Sequence, residues 1–375
     1  MHGHLTGVDI FTIETLKALF ELDKENNYIL YHNSFTSMQQ NIPDFSMHSN
    51  VTQVRTKYPN KILNILLSFL NWPKIDELIL KKLQKNKNNE IKSIDFFLMP
   101  DPRPIALKKA KLLTVFHDLS FIRYPHFFSF YTGIWHKILR PKKIAQKSTH
   151  IISVSNFTKN EIIKCFKIAG EKISVIHEGQ GTAHDLTIEQ VNKTAHEFNL
   201  PKKYFLFIST LEPRKNLERL IKAYELFLKN PDNKDYKLII IGKENAKIFR
   251  KVDIEISKNI IKLGFVGEES KLAILSKAHA LVYPSLYEGF GLPILESFYY
   301  NKPVAASNIS SIPEVAGDAA ILFDPLDINE IKNSLEKLTH PKIYKNLQHK
   351  IPNQLSKFSW HKCAKQIHDH FSLAK

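Results

Sequence analysis

The chain has 375 residues, of which 43% are hydrophobic and 24% charged, and it carries a formal net charge of +16. This composition excludes a disordered or fibrous protein, and the length allows two domains of ordinary size. Two cysteines, Cys165 and Cys363, are too few for a disulfide framework or a zinc site and fit a reducing cytosol. No secretory signal is predicted, and the longest apolar run, residues 62–72, is too short to span a bilayer. We therefore expect a cytoplasmic protein, either soluble or held peripherally on the inner face of the cytoplasmic membrane.

The positive charge leaves three classes of anionic partner open: nucleic acid, a phosphorylated small molecule and an acidic lipid surface. A protein that binds nucleic acid is expected to collect its cations on one face. Here the lysines and arginines are spread over the whole chain, which also fits a lysine-rich composition with no such partner. We therefore do not expect nucleic acid to be the partner.

The first half of the chain alternates predicted helices and strands. Gly7 is predicted to form a turn that leads into a helix within residues 7–22, where apolar residues recur at helical spacing. Short apolar runs bounded by turn residues predict strands within residues 27–32, 93–100, 111–118, 149–155 and 172–179. Because these runs are almost continuously apolar, they indicate a parallel sheet covered by helices on both faces.

The pattern restarts after a polar segment without predicted strands at residues 180–200. Further strands are predicted within residues 204–210, 236–242, 260–266, 280–285, 303–307 and 319–324. Helices are predicted over residues 216–229, 268–278, 291–300 and 358–375. The expected fold class is α/β, with a Rossmann-like domain in each half. We place the domains at residues 1–190 and 200–356, followed by a terminal helix within 357–375.

The stretch YEGFGLPILES, residues 287–297, holds two glutamates with seven residues between them. Glu288 is predicted in a loop after a strand, and Glu296 one turn into the next helix. Gly289 and Gly291 allow the backbone to approach a ligand, and the amides of a helix N-terminus favour an anion. Either glutamate alone is more simply a helix cap or a solvated charge. The pair around this turn instead indicates a nucleotide sugar, with ribose hydroxyls on Glu296 and sugar hydroxyls on Glu288.

Two further motifs follow predicted strands. Arg214 and Lys215 come after the strand within 204–210, where adjacent cations beside a helix start suit a diphosphate. In a lysine-rich chain the alternative is an exposed basic turn. His117 leaves a strand of the first half, and its alternative is a histidine bonded to backbone. The carboxyl ends of both predicted sheets are expected to face one cleft, which would bring these motifs together.

These motifs, in this order, resemble the retaining glycosyltransferases of family 4, which have the GT-B fold. The resemblance runs through TVFHDLSFIRYPHFFS, STLEPRKNLERLIKAY, YPSLYEGFGLPILES and FSWHKCA and covers nearly the whole chain. It implies two Rossmann-like domains facing a central cleft, and a C-terminal helix that crosses back to the N-terminal domain. The two glutamates at this spacing and the LEPRKN element are its most specific parts.

The resemblance also implies roles for the matched residues. Catalytic roles would fall to Glu288, which contacts the donor sugar, to Arg214 and Lys215, which bind the leaving diphosphate, and to His117, which orients the donor. The nucleotide-sugar-binding residues it implies are Gly7, Thr210, Phe265, Val266, Gly289, Phe290, Gly291, Leu292 and Glu296. Neither a metal nor another cofactor is expected, and the chain contains no D-x-D triplet of the kind that holds a metal-bridged diphosphate.

The sequence departs from the family in three places. Thr210 stands where many relatives have arginine, which leaves the diphosphate to Arg214 and Lys215, and Asn301 stands where glycine is usual. Relatives carry an apolar strand before the glycine turn, whereas only six residues precede Gly7 here. The first N-terminal strand is therefore expected to be missing. Either the start lies upstream, or the N-terminal domain is impaired.

The implied reaction moves a hexose from a nucleoside-diphosphate sugar to a glycan or lipid-linked acceptor in surface polysaccharide or lipopolysaccharide biosynthesis. Retention of configuration is expected by front-face attack, without metal, and the LEPRKN element favours GDP-mannose. A nucleotide-sugar-binding protein that has lost catalysis is the main alternative, and a GT-B epimerase is disfavoured. Residues 125–147 interleave aromatic and basic side chains, so they predict either contact with an anionic membrane or a core helix with a basic outer face.

Overall fold

The computed structural model describes residues 5–34, 43–45, 47–85, 91–244, 248–249 and 257–373. The chain divides into two compact units. Unit 1 comprises residues 1–119, 133–177 and 360–375, and unit 2 comprises residues 120–132 and 178–359. Compared with the domains placed from the sequence, residues 120–132 and 178–190 fall with the second half of the chain instead of the first.

Twelve strands occur among the described residues, and each pairs with its neighbours in parallel. They are β1 (Tyr28–Asn33), β2 (Val51–Thr56), β3 (Phe96–Met99), β4 (Lys111–Phe116), β5 (His150–Ser153), β6 (Ile173–Val175), β7 (Tyr204–Ile208), β8 (Lys237–Ile241), β9 (Ile260–Gly264), β10 (Ala280–Tyr283), β11 (Val304–Ser307) and β12 (Ala320–Phe323). Every strand predicted from the sequence is present. β2 is an additional strand that the apolar pattern did not predict.

The helices of the described residues alternate with these strands. They are α1 (Gly7–Leu22), α2 (Asn60–Ile65), α3 (Ile75–Gln84), α4 (Ser120–Arg123), α5 (Phe130–Leu139), α6 (Pro141–Lys147), α7 (Asn156–Phe166), α8 (Ile188–Glu197), α9 (Leu217–Phe227), α10 (Glu268–Lys277), α11 (Leu292–Tyr299), α12 (Ile312–Ala316), α13 (Ile328–Thr339), α14 (Pro341–Leu355) and α15 (Trp360–Leu373). A π-helical turn, Leu66–Leu70, continues α2. Among the described residues, no helix is both long enough and hydrophobic enough to cross a bilayer.

The described residues of unit 1 form two separate sheets. β1 pairs with β2 along its whole length, from Tyr28 opposite Val51 to Asn33 opposite Thr56. β3, β4, β5 and β6 form the second sheet in that order. Leu5 and Thr6, the described residues before α1, are not in a strand.

The terminal helix α15 packs on α1 within unit 1. Thr15 Oγ1 lies 3.7 Å from the buried Cys363 Sγ. The rings of Phe11 and Trp360 meet edge to face at 6.1 Å. The last helix of the chain therefore completes the core around its first helix, as the resemblance implied.

Unit 2 is built on a six-stranded sheet in the order β12-β11-β10-β7-β8-β9. β7 and β10 are buried along their whole length, and α9 and α13 pack with them into one apolar core. From β7 the chain proceeds to β8 and β9 on one side and then returns to β10 on the other. The strand order thus reverses between β7 and β10. In open α/β sheets, ligands bind beside such a reversal, at the carboxyl ends of the strands.

Candidate active site

Two predicted motifs follow β7 and β10, the strands on either side of the reversal. β7 ends at Ile208 and leads into the turn that carries Arg214 and Lys215, whereas β10 ends at Tyr283 and leads to Glu288. The two strands are hydrogen-bonded neighbours with the same direction. Their carboxyl ends therefore lie at the same edge of the sheet, and both motifs are brought there.

The basic turn is a single 3-10 turn, Pro213–Lys215, and it ends at Asn216 with a φ of 58°. Asparagine tolerates this left-handed conformation better than most residues. The buried Asn216 amide donates to the main-chain oxygen of Pro284 at 3.0 Å. The main-chain nitrogen of Leu286 donates to the oxygen of Arg214 at 2.8 Å. These bonds fix the basic turn against the loop that follows β10.

The Glu288 carboxylate contacts both cations of the basic turn. Lys215 Nζ lies 2.6 Å from Oε1, and Arg214 Nη1 lies 3.1 Å from Oε2. Arg214 also donates to the main-chain oxygen of Tyr287 at 2.7 Å and to Glu212 Oε1 at 2.7 Å. The four ionic side chains are at most 12% exposed. Mobile salt ions therefore screen these contacts only weakly.

The surroundings of Glu288 favour its ionised form. Burial by itself raises the pKa of Glu288, but the ammonium of Lys215 and the guanidinium of Arg214 outweigh burial and lower the pKa to about 2. Burial raises the pKa of Glu212 despite the same two cations, and it raises the pKa of Tyr283 well above its usual value. Near neutral pH Glu288 is therefore an anion that only accepts hydrogen bonds.

The loop between Glu288 and α11 is held from one side by a serine. Ser311 Oγ donates to the main-chain oxygens of Glu288 and Phe290, at 3.0 and 2.8 Å. Gly291 has a φ of 124°, a conformation that L side chains rarely adopt. α11 begins directly afterwards, at Leu292, with a proline in its first turn as predicted. Gly291 therefore allows the sharp change of direction between loop and helix.

Glu296 forms a second buried cluster one turn into α11. Lys271 Nζ lies 2.9 and 3.0 Å from its two carboxylate oxygens, and the nitrogen and hydroxyl of Thr182 lie 3.4 and 3.3 Å from Oε1. Burial lowers the pKa of Lys271, but Glu296 and Glu268 outweigh burial and raise it. A Cβ atom at Gly181 would lie 2.6 Å from Glu296 Oε1, at a backbone φ of 70°. Position 181 therefore requires glycine.

Three further predicted residues of unit 2 follow strands of the same sheet. Thr210 lies two residues after the end of β7, and Phe265 and Val266 follow β9. The side chain of Phe265 is 47% exposed, whereas Val266 is buried. Since β9 lies two strands from β7, Phe265 is displaced across the sheet edge from the basic turn.

His117 and Gly7 lie in unit 1. His117 follows β4, its Nε2 lies 2.9 Å from the oxygen of Pro100, and its ring meets that of Phe11 at 4.9 Å. The prediction that Gly7 forms a turn before the helix was wrong, because Gly7 is the first residue of α1 itself. A Cβ atom there would meet nothing within 4 Å, so packing does not require glycine at this position.

Sequence reasoning missed three residues that complete the two clusters: Glu212, Lys271 and Thr182. Glu212 precedes the proline of the LEPRKN element, and its position there was a usable signal. Lys271 and Thr182 lie 25 and 114 residues from Glu296, in segments without a motif. Only the fold brings them to the carboxylate.

Comparison with known proteins gives a family match for each half of the chain. Residues 15–182 match Glycosyltransferase Family 4, and residues 189–357 match Glycosyl transferases group 1. Among relatives, O-antigen chain mannosyltransferase B of Escherichia coli is 28% identical over 398 residues, covering 98% of this chain and 96% of the relative.

Solved structures agree in fold. Sucrose-phosphate synthase of Thermosynechococcus elongatus matches with a TM-score of 0.69 at 17% identity, covering 98% of this chain and 93% of that one. Anabaena HepE in complex with UDP and glucose matches with a TM-score of 0.62 at 16% identity, covering 99% and 97%. Together with the two Rossmann-like units, these likenesses define the GT-B fold. Residues 15–182 thus form a glycosyltransferase family 4 domain, and residues 189–357 form a glycosyl transferases group 1 domain.

Proposed function

We propose that the protein is a retaining hexosyltransferase of surface polysaccharide biosynthesis that uses GDP-mannose. The acceptor is a glycan or a lipid-linked saccharide. The likeness to an O-antigen chain mannosyltransferase along almost its entire length supports this assignment of sugar and pathway. The group 1 match covers the half of the chain that carries the Glu288 and Glu296 clusters, and it supports a nucleotide-sugar donor.

The observation that carries the proposal is the buried contact of Glu288 with Lys215 and Arg214 beside the strand-order reversal. As the sugar leaves, negative charge develops on the nucleoside diphosphate. Cations that are already fixed in a poorly hydrated site stabilise that charge without reorganising. Removal of one such donor costs about 2.7–4 kcal/mol in comparable sites.

The state of Glu288 fits a role in holding the sugar better than a role in proton transfer. A carboxyl group whose pKa is about 2 is deprotonated at neutral pH, so it cannot serve as general acid, and it is a weak base. It can still accept hydrogen bonds from sugar hydroxyls. This supports front-face attack, in which the departing phosphate takes the acceptor proton.

Glu296 is proposed to hold the ribose. Its two oxygens offer about four lone-pair sites; Lys271 contacts both oxygens, and the nitrogen and hydroxyl of Thr182 contact Oε1 at 3.4 and 3.3 Å. Oε2 has only the Lys271 contact among these, so a diol would bind Oε2 directly and replace the long Thr182 contacts at Oε1 while Lys271 stays in place. The exposed aromatic ring of Phe265 offers a stacking surface for the base.

Peripheral contact with an anionic membrane on the cytoplasmic side is part of the proposal. Phe130 and Tyr131 on α5 are 78% and 82% exposed, which supports lipid contact for this segment over a wholly buried helix. Turnover is proposed to need no metal and no other cofactor.

The test is transfer by the purified full-length protein with a panel of UDP-, GDP-, dTDP- and ADP-sugars, in buffer containing a chelator. GDP-mannose should give the highest turnover, and the product should keep the donor's anomeric configuration by NMR. Lys215→Met should lower kcat about 100-fold or more, whereas Lys222→Met, at an exposed ion pair of α9, should not. Donor binding without transfer or hydrolysis would instead identify a binding protein that has lost catalysis.

A further inference from the structure

An apolar surface on unit 1 has no role in the proposed site. α2 and the π-helical turn bury Leu63 and Leu67 in the core of the unit. The opposite side of the same segment exposes Phe69, Leu70 and Trp72, which are 55%, 67% and 61% exposed. Exposed apolar residues that cluster in this way mark interaction sites in soluble proteins.

Cations surround these side chains. The guanidinium of Arg140 lies 4.6 Å from the centre of the Phe69 ring, and its Nη1 donates to the oxygen of Ser68 at 3.4 Å. Lys147 Nζ donates to Asn71 Oδ1 at 2.9 Å. Two helical segments that are distant in sequence thus form one surface, with apolar side chains in its centre and cations beside them.

The positive field of this surface is not offset by nearby acidic residues of the same segments. Residues 60–74 and 119–160 contain no aspartate or glutamate. Burial lowers the pKa of Lys147, and the charges of Lys143 and Lys74 lower it further, so the three ammonium groups are close enough to interact. An occupant of this surface must therefore supply negative charge around an apolar centre.

We propose that this surface, which we call the 62–72 surface, docks on a bilayer that contains anionic phospholipid. It consists of Ile62, Ile65, Phe69, Leu70, Trp72, Lys74, Arg140, Lys143 and Lys147. The proposal deepens the membrane contact of the proposed function and rests on that function only for the acceptor that the membrane would present. It assigns insertion to a segment that the sequence marked only as too short to span a membrane.

A lipid surface fits this arrangement on two counts. Aromatic and aliphatic side chains of an interfacial helix enter the boundary between headgroups and acyl chains, and tryptophan prefers that depth. Lysine and arginine extend their stems along the apolar layer and keep their charge at the phosphates. Each lysine or arginine near an anionic leaflet raises the affinity for the membrane about fivefold.

The experiment is co-sedimentation of the full-length protein, without donor or acceptor, with phosphatidylcholine vesicles that do or do not contain phosphatidylglycerol. Phe69→Ser combined with Leu70→Ser should lower binding to the anionic vesicles about tenfold or more. The matched control is Ile188→Ser combined with Leu326→Ser, at positions of unit 2 that are 81% and 61% exposed. This control should bind as the wild type does.

A second pair of double variants distinguishes binding by the 62–72 surface from non-specific attraction by the net charge of +16. Lys143→Gln combined with Lys147→Gln should lower binding about 25-fold. Lys342→Gln combined with Lys345→Gln removes the same charge from exposed positions of α14 and should change binding only slightly. Higher salt should weaken binding of the wild type to anionic vesicles.

Three results would overturn the proposal: equal sedimentation with both kinds of vesicle, equal losses in the surface variants and their controls, or a wild-type dimer that the Phe69 and Leu70 changes dissociate without altering vesicle binding. The last would show that a second copy of the chain covers the surface. Transfer to a soluble acceptor is measured in parallel. Intact transfer without vesicle binding refutes this proposal and the membrane contact but not the hexosyltransferase activity, whereas vesicle binding without transfer refutes that activity and not this proposal.

Discussion

At the scale of single residues, the negative charge of Glu288 is the feature on which the candidate site depends most. The Glu288 carboxylate contacts both Lys215 and Arg214, and its pKa of about 2 depends on both cations. Neutralising it without changing its shape would leave two cations with less compensation in a poorly hydrated site. Removing one partner of a buried ion pair is generally more costly than replacing the whole pair.

We therefore expect Glu288→Gln to lower kcat/KM by about 100-fold or more, because it would weaken the proposed contacts to the sugar and disturb the two cations that are proposed to bind the diphosphate. Steady-state kinetics with the best donor measures the loss, and circular dichroism checks the fold. Glu218→Gln, at an exposed ion pair of α9, is the control and should retain activity. Wild-type kinetics in Glu288→Gln would contradict the assigned role.

Gly181 gives a second prediction at this scale. Alanine there would combine a φ of 70° with a Cβ atom 2.6 Å from Glu296 Oε1, so the carboxylate must move. The KM for the donor should rise with a smaller effect on kcat, and the melting temperature should fall. Gly133→Ala is the control for stability, because Gly133 lies in α5 and a Cβ atom there would meet nothing within 4 Å. Alanine there should stabilise the protein, by about 0.5–1 kcal/mol. A Gly181→Ala protein with unchanged donor KM would show that Glu296 does not contact the donor.

At the scale of elements, the sequence predicted the strands that carry continuous apolar runs. β7 and β10 belong to this class because both faces of each strand are buried. β2 was not predicted, because its sequence VTQVRT contains only two apolar residues and the strand is partly exposed. The proximity of the Arg214–Lys215 and Glu288 motifs was predictable because they follow strands whose carboxyl ends share one edge. The contacts of Lys271 and Thr182 were not, because helix packing alone decides which distant residues reach Glu296.

The terminal helix provides a test at this scale. Ile367 is fully buried in α15, and the apolar side of that helix packs with α1 in unit 1. Ile367→Ala should lower the free energy of unfolding by about 2–5 kcal/mol, because it leaves a cavity in that core. Denaturant titration measures the change. Leu326→Ala, at a 61% exposed side chain, should cost far less. Equal effects would mean that α15 contributes little to the stability of unit 1.

At the scale of the whole molecule, the sequence predicted two α/β halves because the strand and helix pattern restarts after a polar segment. It placed the change of unit near residues 180–200, whereas the chain enters unit 2 for the second time at Glu178. Residues 120–132 belong to unit 2 although they lie within the first half of the sequence. No local pattern marks such an excursion, because compactness is a property of contacts between distant segments.

The separate sheets of unit 1 have a consequence for how that unit opens. Because β1 and β2 do not hydrogen-bond to β3–β6 in the described chain, breaking one ladder does not require breaking the other. A two-stranded sheet is marginal alone, and both strands of this pair are partly exposed. Amides of β1 and β2 should therefore exchange with deuterium sooner than those of the buried β4 and β5, in a distinct step of lower free energy. Simultaneous exchange of both sets, followed by mass spectrometry, would instead show one cooperative unit.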